Sequence, residues 1–286
     1  MKPTALLNRS VDKFIKPVLL ERKYRPTLKK NLVLRDSQKA KRCFILATGP
    51  SIQQQDLIRL KDEHTFVLNT FWQHPDYIRI NPKYYVVVDT YNFPTADSRG
   101  SAWVQDLIDR NKVVSACNSK LFFNIAGEKF ITEQKLFLQN EIYYLAFNRF
   151  FTDDLKFNIE IDRVLPNVKN VVVACIMTAA YMGFEEIYLL GCEHDFLAHP
   201  SQLHYQGFQH FYKTNYSAKN EEDVQQYALD IMPYERHIDH TKILFKNYRL
   251  LKEKLSREKP NVKIFNATPG SFLDVFPFVQ YEDIVL

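Results

Sequence analysis

Short apolar runs alternate with longer mixed segments along the chain from Cys43 onward. Several of these runs lack an alternation between apolar and polar positions, which is typical of strands that helices cover on both faces. The pattern therefore predicts buried strands. The predicted strands are Phe44–Ala47, Thr65–Asn69, Tyr84–Val88, Lys112–Ala116, Ile142–Ala146, Glu186–Gly191 and Val262–Asn266.

Segments with helical spacing lie between the strands. They are Ile52–Lys61, Ser101–Arg110, Asn167–Met182 and His237–Glu258. Asn167–Met182 is almost wholly apolar, so we expect a buried helix there. Alternating strands and helices predict an α/β, Rossmann-like fold, with a mostly parallel sheet flanked by helices.

Two further regions differ from this alternation. Residues 194–235 have no clear period and are rich in His, Tyr and Asn, and we interpret them as a long functional loop or lid. Residues 1–41 form a basic N-terminal arm with partly helical spacing, which leaves residues 42–286 as the main domain.

The composition is that of a globular protein, with 46% hydrophobic and 25% charged residues. No run approaches the roughly 18 apolar residues of a membrane-spanning helix. Residues 1–4 lead into no apolar core of a signal peptide, so we expect the protein to remain in the cytoplasm. Scattered cysteines within apolar runs indicate reduced, buried thiols. They are Cys43, Cys117, Cys175 and Cys192.

The charge is concentrated in the arm. Residues 1–42 contain 13 basic and 3 acidic side chains, whereas the chain as a whole has 38 and 33. A basic segment attracts phosphates of lipid headgroups or nucleic acid, so residues 1–40 could contact the inner face of the cytoplasmic membrane. The other interpretation is a helix that packs on the domain or on a partner chain and keeps its lysines in water.

The first candidate site is a strand, turn and helix start within Arg42–Leu57. The strand turns through Thr48, Gly49 and Pro50, and Ser51 can cap the following helix. Gly49 permits close approach of a ligand, and the free N–H groups of a helix start attract an anion. The turn has neither a P-loop nor the three-glycine fingerprint, so ATP or NAD is not implied.

The next two predicted strands also finish in compact polar residues, Asn69 and Asp89. Because the carboxyl ends of parallel strands lie at one edge of a sheet, we expect a rim there that contacts a ribose or a base.

The segments LATGPSI, VLNTFWQHP, YYVVVD and MGFEEIYLLGCEHDF together resemble the bacterial family 42 sialyltransferases. They also resemble a wider group of 6-hydroxymethylpterin diphosphokinase-like proteins. The resemblance spans roughly residues 42–249 and implies a GT-A-like variant of the Rossmann fold. In the family an Asn and a Gly before the Gly-Pro-Ser turn contact cytidine. Here Ala47 and Thr48 occupy those places, while Asn69 matches a nucleotide-contacting Asn.

The resemblance also implies a general base. The family's catalytic His lies in Ile-Gly-His-Ser-Lys before a C-terminal helix, and this chain has His240 within Ile238–Lys242. A helix N-terminus disfavours imidazolium, which would keep His240 neutral and able to accept a proton. Asp239, Glu235 or a backbone carbonyl could orient the ring.

A histidine-rich loop follows the strand Glu186–Gly191. Its His and acidic residues are Glu193, His194, Asp195, His199, His204 and His210. Metal binding is one interpretation, but the spacing matches no zinc signature, and we predict neither a metal nor a cofactor.

The family instead uses this region for the donor. Glu193 and His194 would contact the donor, while Tyr205 and Tyr212 would hold the leaving phosphate. The family's Thr-Ser-Gly before the buried helix corresponds to a segment beginning at Asn170, so the donor sugar need not be sialic acid itself.

The resemblance and the residues above predict an inverting glycosyltransferase, with residues 42–286 as its nucleotide-sugar-binding catalytic domain and residues 194–235 as its lid or acceptor loop. Its donor would be a nucleotide sugar, with a CMP-activated acidic sugar favoured, and its acceptor a bacterial surface glycan or glycolipid; a homo-oligomer is expected. One alternative is a Mg²⁺-dependent pyrophosphokinase that uses Asp89, Glu193 and Asp195. The other is a non-catalytic module that binds nucleotides or nucleic acid.

Overall fold

The computed structural model describes residues 16–90, 93, 101–199 and 233–285. Its strands are β1 Arg42–Leu46, β2 Thr65–Leu68, β3 Tyr84–Val87, β4 Lys120–Asn124, β5 Ile142–Leu145, β6 Phe147–Arg149, β7 Leu165–Pro166, β8 Glu186–Leu190 and β9 Lys263–Asn266. Seven of them form one parallel sheet in the order β5-β4-β3-β2-β1-β8-β9. The other two, β6 and β7, pair with each other. The α/β, Rossmann-like fold class is confirmed.

Helices cover both faces of this sheet. They are α1 Lys16–Leu28, α2 Tyr77–Ile80, α3 Ser101–Val114, α4 Glu128–Glu133, α5 Val171–Met182, α6 Tyr234–Glu258 and α7 Tyr281–Ile284. All twelve residues of α5 are buried, as the apolar sequence predicts. This helix contacts α6 on one side and strands β1, β2 and β3 on the other.

The strand predicted at Lys112–Ala116 is wrong. Residues 112–114 form the last turn of α3, and the strand is β4, which begins at Lys120. The side chain of Val114 is fully buried because it lies on the inner face of a helix. A short apolar run does not distinguish that face from a strand.

The helix predicted at Ile52–Lys61 is also wrong. Two 3₁₀-helices occupy this region, Pro50–Gln54 and Leu57–Leu60. Between them Asp56 accepts a hydrogen bond from the backbone N–H of Ile58 at 3.2 Å, and it thereby begins a second short helix.

The described part of the basic arm contacts the domain. Helix α1 leads into a 3₁₀-helix at Lys29–Leu34. Within this turn the buried Asn31 amide donates to the carbonyls of Tyr144, at 2.9 Å, and Ile161, at 2.7 Å. Residues 1–15 lie outside the described residues, so membrane contact stays a prediction. In the described part of the chain, no helix is both long and apolar enough to cross a bilayer.

Strand β1 is an interior strand of the sheet, next to the middle strand β2. It pairs with β2 on one side and with β8, more than a hundred residues later, on the other. The chain therefore reverses its direction of progress across the sheet at this point. In open α/β sheets such a reversal creates a crevice beyond the carboxyl ends of the two strands, where ligands bind.

Candidate functional site

Two glycines bring the loops after β1 and β8 into contact at this crevice. The N–H of Gly49 donates to the carbonyl of Gly191 at 3.0 Å. Gly191 has a φ of +68°, and a Cβ on it would lie 3.0 Å from the carbonyl oxygen of Ala47. Glycine at 191 thus satisfies both the left-handed backbone and the close approach.

The carboxylate of Glu193 fills the space beside the Gly49 turn. Its Oε1 accepts a hydrogen bond from the backbone N–H of Ser51 at 2.7 Å. A Cβ on Gly49 would lie 1.5 Å from Glu193 Oε2, so glycine is needed here to accommodate this carboxylate. Burial raises the pKa of Glu193, and hydrogen bonds from Ser51 partly oppose that shift.

This arrangement corrects the roles expected for the turn. Ser51 is the second residue of a 3₁₀-helix that starts at Pro50 and whose N-cap is Gly49, so Ser51 does not cap it. The Ser51 N–H, expected to attract an outside anion, binds the chain's own Glu193. The N–H of Ile52 donates to the carbonyl of Gly49. Thr48 is buried at the same turn.

Asn69 and Asp89 come together at the carboxyl ends of β2 and β3. Asn69 Nδ2 donates to Asp89 Oδ2 at 3.3 Å, and the hydroxyl of Tyr85 donates to the Asn69 carbonyl. Asn69 has a left-handed φ of +47°. Its buried side-chain oxygen Oδ1 accepts no hydrogen bond from the residues that the structure describes. Asn69 and Asp89 therefore lie together at this edge, while contact with a ribose or a base stays a prediction.

Asn124 extends the rim at the end of β4. Its Nδ2 donates to the carbonyl of Val88 at 2.7 Å, and its Oδ1 accepts from the N–H of Ala126. Sequence reasoning missed this residue because it placed the strand at 112–116. The signal was available, since the run KLFFN ends in a compact polar residue like its two predecessors.

Asn170 forms the N-cap of α5. Its Oδ1 accepts a hydrogen bond from the N–H of Val172 at 2.7 Å. An N-cap oxygen is committed to the helix start, so only the Nδ2 group of Asn170 is available to donate a hydrogen bond to a ligand.

His194 joins the loop after β8 to helix α6. Its Nε2 lies 2.9 Å from the hydroxyl oxygen of Tyr248, a fully buried residue of α6. Burial lowers the pKa of His194 to about 4, against a small opposing effect of Asp195. The ring is therefore neutral at pH 7 and serves to fix α6 against the loop. Sequence reasoning singled out His194 but missed Tyr248.

His240 lies on the second turn of α6, because the helix begins at Tyr234. The expected position at a helix start, and the dipole argument that depended on it, are wrong. The pKa of His240 is nevertheless lowered, chiefly by partial burial and then by the positive charges of Lys169 and Arg236, whereas Asp239 opposes the shift. His240 thus lies near the residue that precedes the N-cap of α5, with its imidazole favoured in the neutral form.

The acidic residues named for a magnesium site have separate partners. Asp89 pairs with Asn69, Glu193 with Ser51, and Asp195 with His199, whose Nε2 lies 3.1 Å from the carboxylate. Among the described residues, no three His, Cys, Asp or Glu side chains are grouped so as to hold a metal ion. Outside the described residues lie His204, His210, Tyr205, Tyr212 and most of the segment 194–235.

The loop after β9 holds the backbone of Cys192 and Glu193 in place. Thr268 Oγ1 accepts the N–H of Cys192 at 3.0 Å, and Ser271 Oγ donates to the carbonyl of Cys192 at 2.6 Å. The N–H of Phe272 donates to the carbonyl of Glu193 at 2.7 Å. Sequence reasoning assigned no role to this loop.

All four cysteines are free and buried, as expected.

No protein-family model matches the chain, and no curated protein matches it. Among solved structures it is similar to a structure of the MAf glycosyltransferase from Magnetospirillum magneticum AMB-1. The match has 14% identity and a TM-score of 0.49, and it covers 93% of this chain. The chain spans only 39% of the length of that protein. The activity named there is a property of that protein.

Proposed function

We propose that the protein is a glycosyltransferase that binds a nucleotide-activated sugar at the carboxyl edge of its sheet. The observation that carries the proposal is the pairing of Asn69 with Asp89 beside the β1–β8 crevice. A buried amide oxygen without a partner among the described residues is costly unless a ligand supplies a donor.

The polar groups of this pair suit a nucleoside. Asn69 Oδ1 can accept a hydrogen bond from an exocyclic amine of a base, and Asp89 can accept from ribose hydroxyls. Cytosine, adenine and guanine carry such an amine, whereas uracil does not. Together with the resemblance of the Gly-Pro-Ser turn and Asn69, this favours a CMP-activated sugar, with an acidic sugar as the first choice.

The proposed reaction is a direct inverting displacement. The acceptor hydroxyl oxygen bonds to the anomeric carbon, the bond from that carbon to the donor phosphate oxygen breaks, and CMP leaves. His240 takes the acceptor proton, for which its neutral imidazole is suited. Since Glu193 occupies the Ser51 N–H, we assign the leaving phosphate to Lys169, the Asn170 Nδ2 group, Tyr205 and Tyr212.

The acceptor and cellular setting belong to the same proposal. A bacterial surface glycan or glycolipid is the acceptor, reached from the inner face of the cytoplasmic membrane through residues 1–40. We keep the homo-oligomer as a prediction to be checked by sedimentation.

A matched pair of variants tests the nucleotide site. Asn69→Ala and Asn81→Ala each remove an asparagine with a left-handed φ, +47° and +50°, so the backbone penalty is the same. Thermal shifts should be recorded with CMP, UDP, GDP and ATP, with and without Mg²⁺. We expect selective stabilisation by CMP that Asn69→Ala weakens about tenfold in Kd and Asn81→Ala leaves intact.

Two results would contradict the proposal. One is equal loss of CMP binding in both variants, which would show that the Asn69 side chain makes no specific contact with the nucleotide and matters only for its left-handed backbone. The other is stabilisation by ATP with Mg²⁺ alone, which would favour the pyrophosphokinase.

A further inference from the structure

A cavity of about 530 Å³ opens beside the loop after β9. One wall is the end of the 3₁₀-helix Pro50–Gln54, at Gln54 and Gln55. The other walls are the loop after β9, residues 267–271, and the segment 278–282. Gln55 Nε2 donates to the carbonyl of Ala267 at 2.9 Å, so these walls are held together by a buried amide.

The cavity is connected to the loop that carries Glu193. Thr268 and Ser271 line it, and both also hydrogen-bond to the backbone of Cys192, immediately before Glu193.

The lining selects an uncharged, polyhydroxylated ligand. Gln54 and Gln280 offer amide donors and acceptors, and Glu282 is the one charged side chain among the described residues that line the cavity. The hydroxyls of Thr268 and Ser271 are already engaged by partners within the protein. A lining whose charge is negative disfavours phosphates and carboxylates.

An aromatic ring completes the set. The side chain of Phe278 lines the cavity and is 53% exposed, so its face is open to a ligand. The hydrogen-bearing face of a pyranose packs on an aromatic ring, while its hydroxyls bond to amides and carboxylates around it. The volume falls in the range of ~300–1,000 Å³ typical of small-molecule sites.

We propose that this cavity binds a neutral pyranose unit of the acceptor glycan, with Phe278 as the stacking platform and Gln54, Gln280 and Glu282 as its polar contacts. Calling the sugar an acceptor rests on the proposed function, whereas the binding of a neutral sugar does not.

Saturation-transfer NMR with lactose, N,N′-diacetylchitobiose and maltose tests the site directly. We expect transfer to ring C–H protons of at least one of these neutral disaccharides. Phe278→Ala should raise the Kd about tenfold, the amount expected for one aromatic contact. Gln280→Ala, at an exposed position, should also weaken binding. Phe272→Ala is the matched control, since that ring is equally exposed at 53% and does not line the cavity.

Three outcomes would overturn the site: no transfer to any of the three sugars, binding that Phe278→Ala and Phe272→Ala affect equally, or tighter binding of 3′-sialyllactose than of lactose. Transfer of sugar from a CMP-activated donor is measured in parallel. Turnover without disaccharide binding removes this site and leaves the proposed function intact. Binding without turnover supports the site and contradicts the function.

Discussion

The Gly49–Glu193 contact has a direct consequence for substitution at residue 49. In Gly49→Ala the new methyl group would meet Glu193 Oε2 at 1.5 Å and the Gly191 carbonyl at 2.5 Å. We expect a loss of unfolding free energy on the order of 2–3 kcal/mol by urea denaturation, because neither neighbour can withdraw freely.

A double-mutant cycle separates the two neighbours. In a Glu193→Ala background the carboxylate contact is gone while the Gly191 carbonyl remains, so Gly49→Ala should cost less but not become neutral. Gly49 has a φ of −69°, which alanine adopts without strain, so the loss in Gly49→Ala reports the contacts and not the backbone conformation. Strict additivity of the two substitutions would contradict the contact.

The lowered pKa of His194 predicts that the free energy of unfolding depends on pH. Its pKa is about 4 in the folded protein, against about 6.5 in the unfolded chain, so the unfolded state binds the proton more readily between these values. The contribution of His194 to the free energy of unfolding is therefore fully present above pH 6.5. It is lost as the pH falls towards 4, by up to about 3 kcal/mol.

The measurement is urea unfolding of the wild type and of His194→Gln across pH 4–7. The difference between the two should shrink as pH falls, because only the wild type loses the neutral imidazole contact to Tyr248. Taking the difference cancels Glu193, whose raised pKa acts in the opposite direction. Parallel curves would show that His194 titrates normally.

At the scale of elements, the start of α5 combines two roles at Asn170. The oxygen caps the helix, while the amide nitrogen is assigned to the donor. Asn170→Ala should cost about 1 kcal/mol of stability and weaken donor binding. Asn170→Asp keeps the capping oxygen, so we expect normal stability with weakened CMP binding. Restored binding in Asn170→Asp would limit the residue to its capping role.

Helix α1 is the element to test for membrane contact. Deleting the arm to residue 40 would remove the buried Leu28 and Asn31, so charge substitutions are the cleaner test. Arg22→Gln with Lys23→Gln should weaken binding to phosphatidylserine vesicles about fivefold per charge. The control is Lys129→Gln with Lys156→Gln, both exposed on other segments. Equal effects of the two pairs would argue against a specific contact by α1.

Elements were predictable where a long pattern or a strand end marked them. The apolar run of α5 and the strands ending at Asn69 and before Asp89 needed only local sequence. Short segments failed, because Val113 and Val114 suit a helix face as well as a strand. The pairing of Glu193 with Ser51 could not be predicted, since it joins residues 142 apart through a carboxylate that the sequence marks only as polar.

At the scale of the whole molecule, the sheet order decides which loops meet. Local sequence predicted an α/β fold with a parallel sheet, but not that β8 would return to the side of β1. That return places the Gly49 turn against Glu193 and positions the β9 loop beneath both. The cavity beside Phe278 follows from the same order, because it needs β9 next to β8.

The interior position of β1, paired on both of its edges, also affects how the chain folds during synthesis. During synthesis β1 leaves the ribosome with β2 to follow, but its other edge has no partner until β8 emerges more than a hundred residues later. Unpaired strand edges pair with strands of other chains, so the nascent chain exposes an aggregation-prone edge of β1 for most of its translation. Truncations that stop before residue 186 should accordingly aggregate rather than yield a smaller soluble unit.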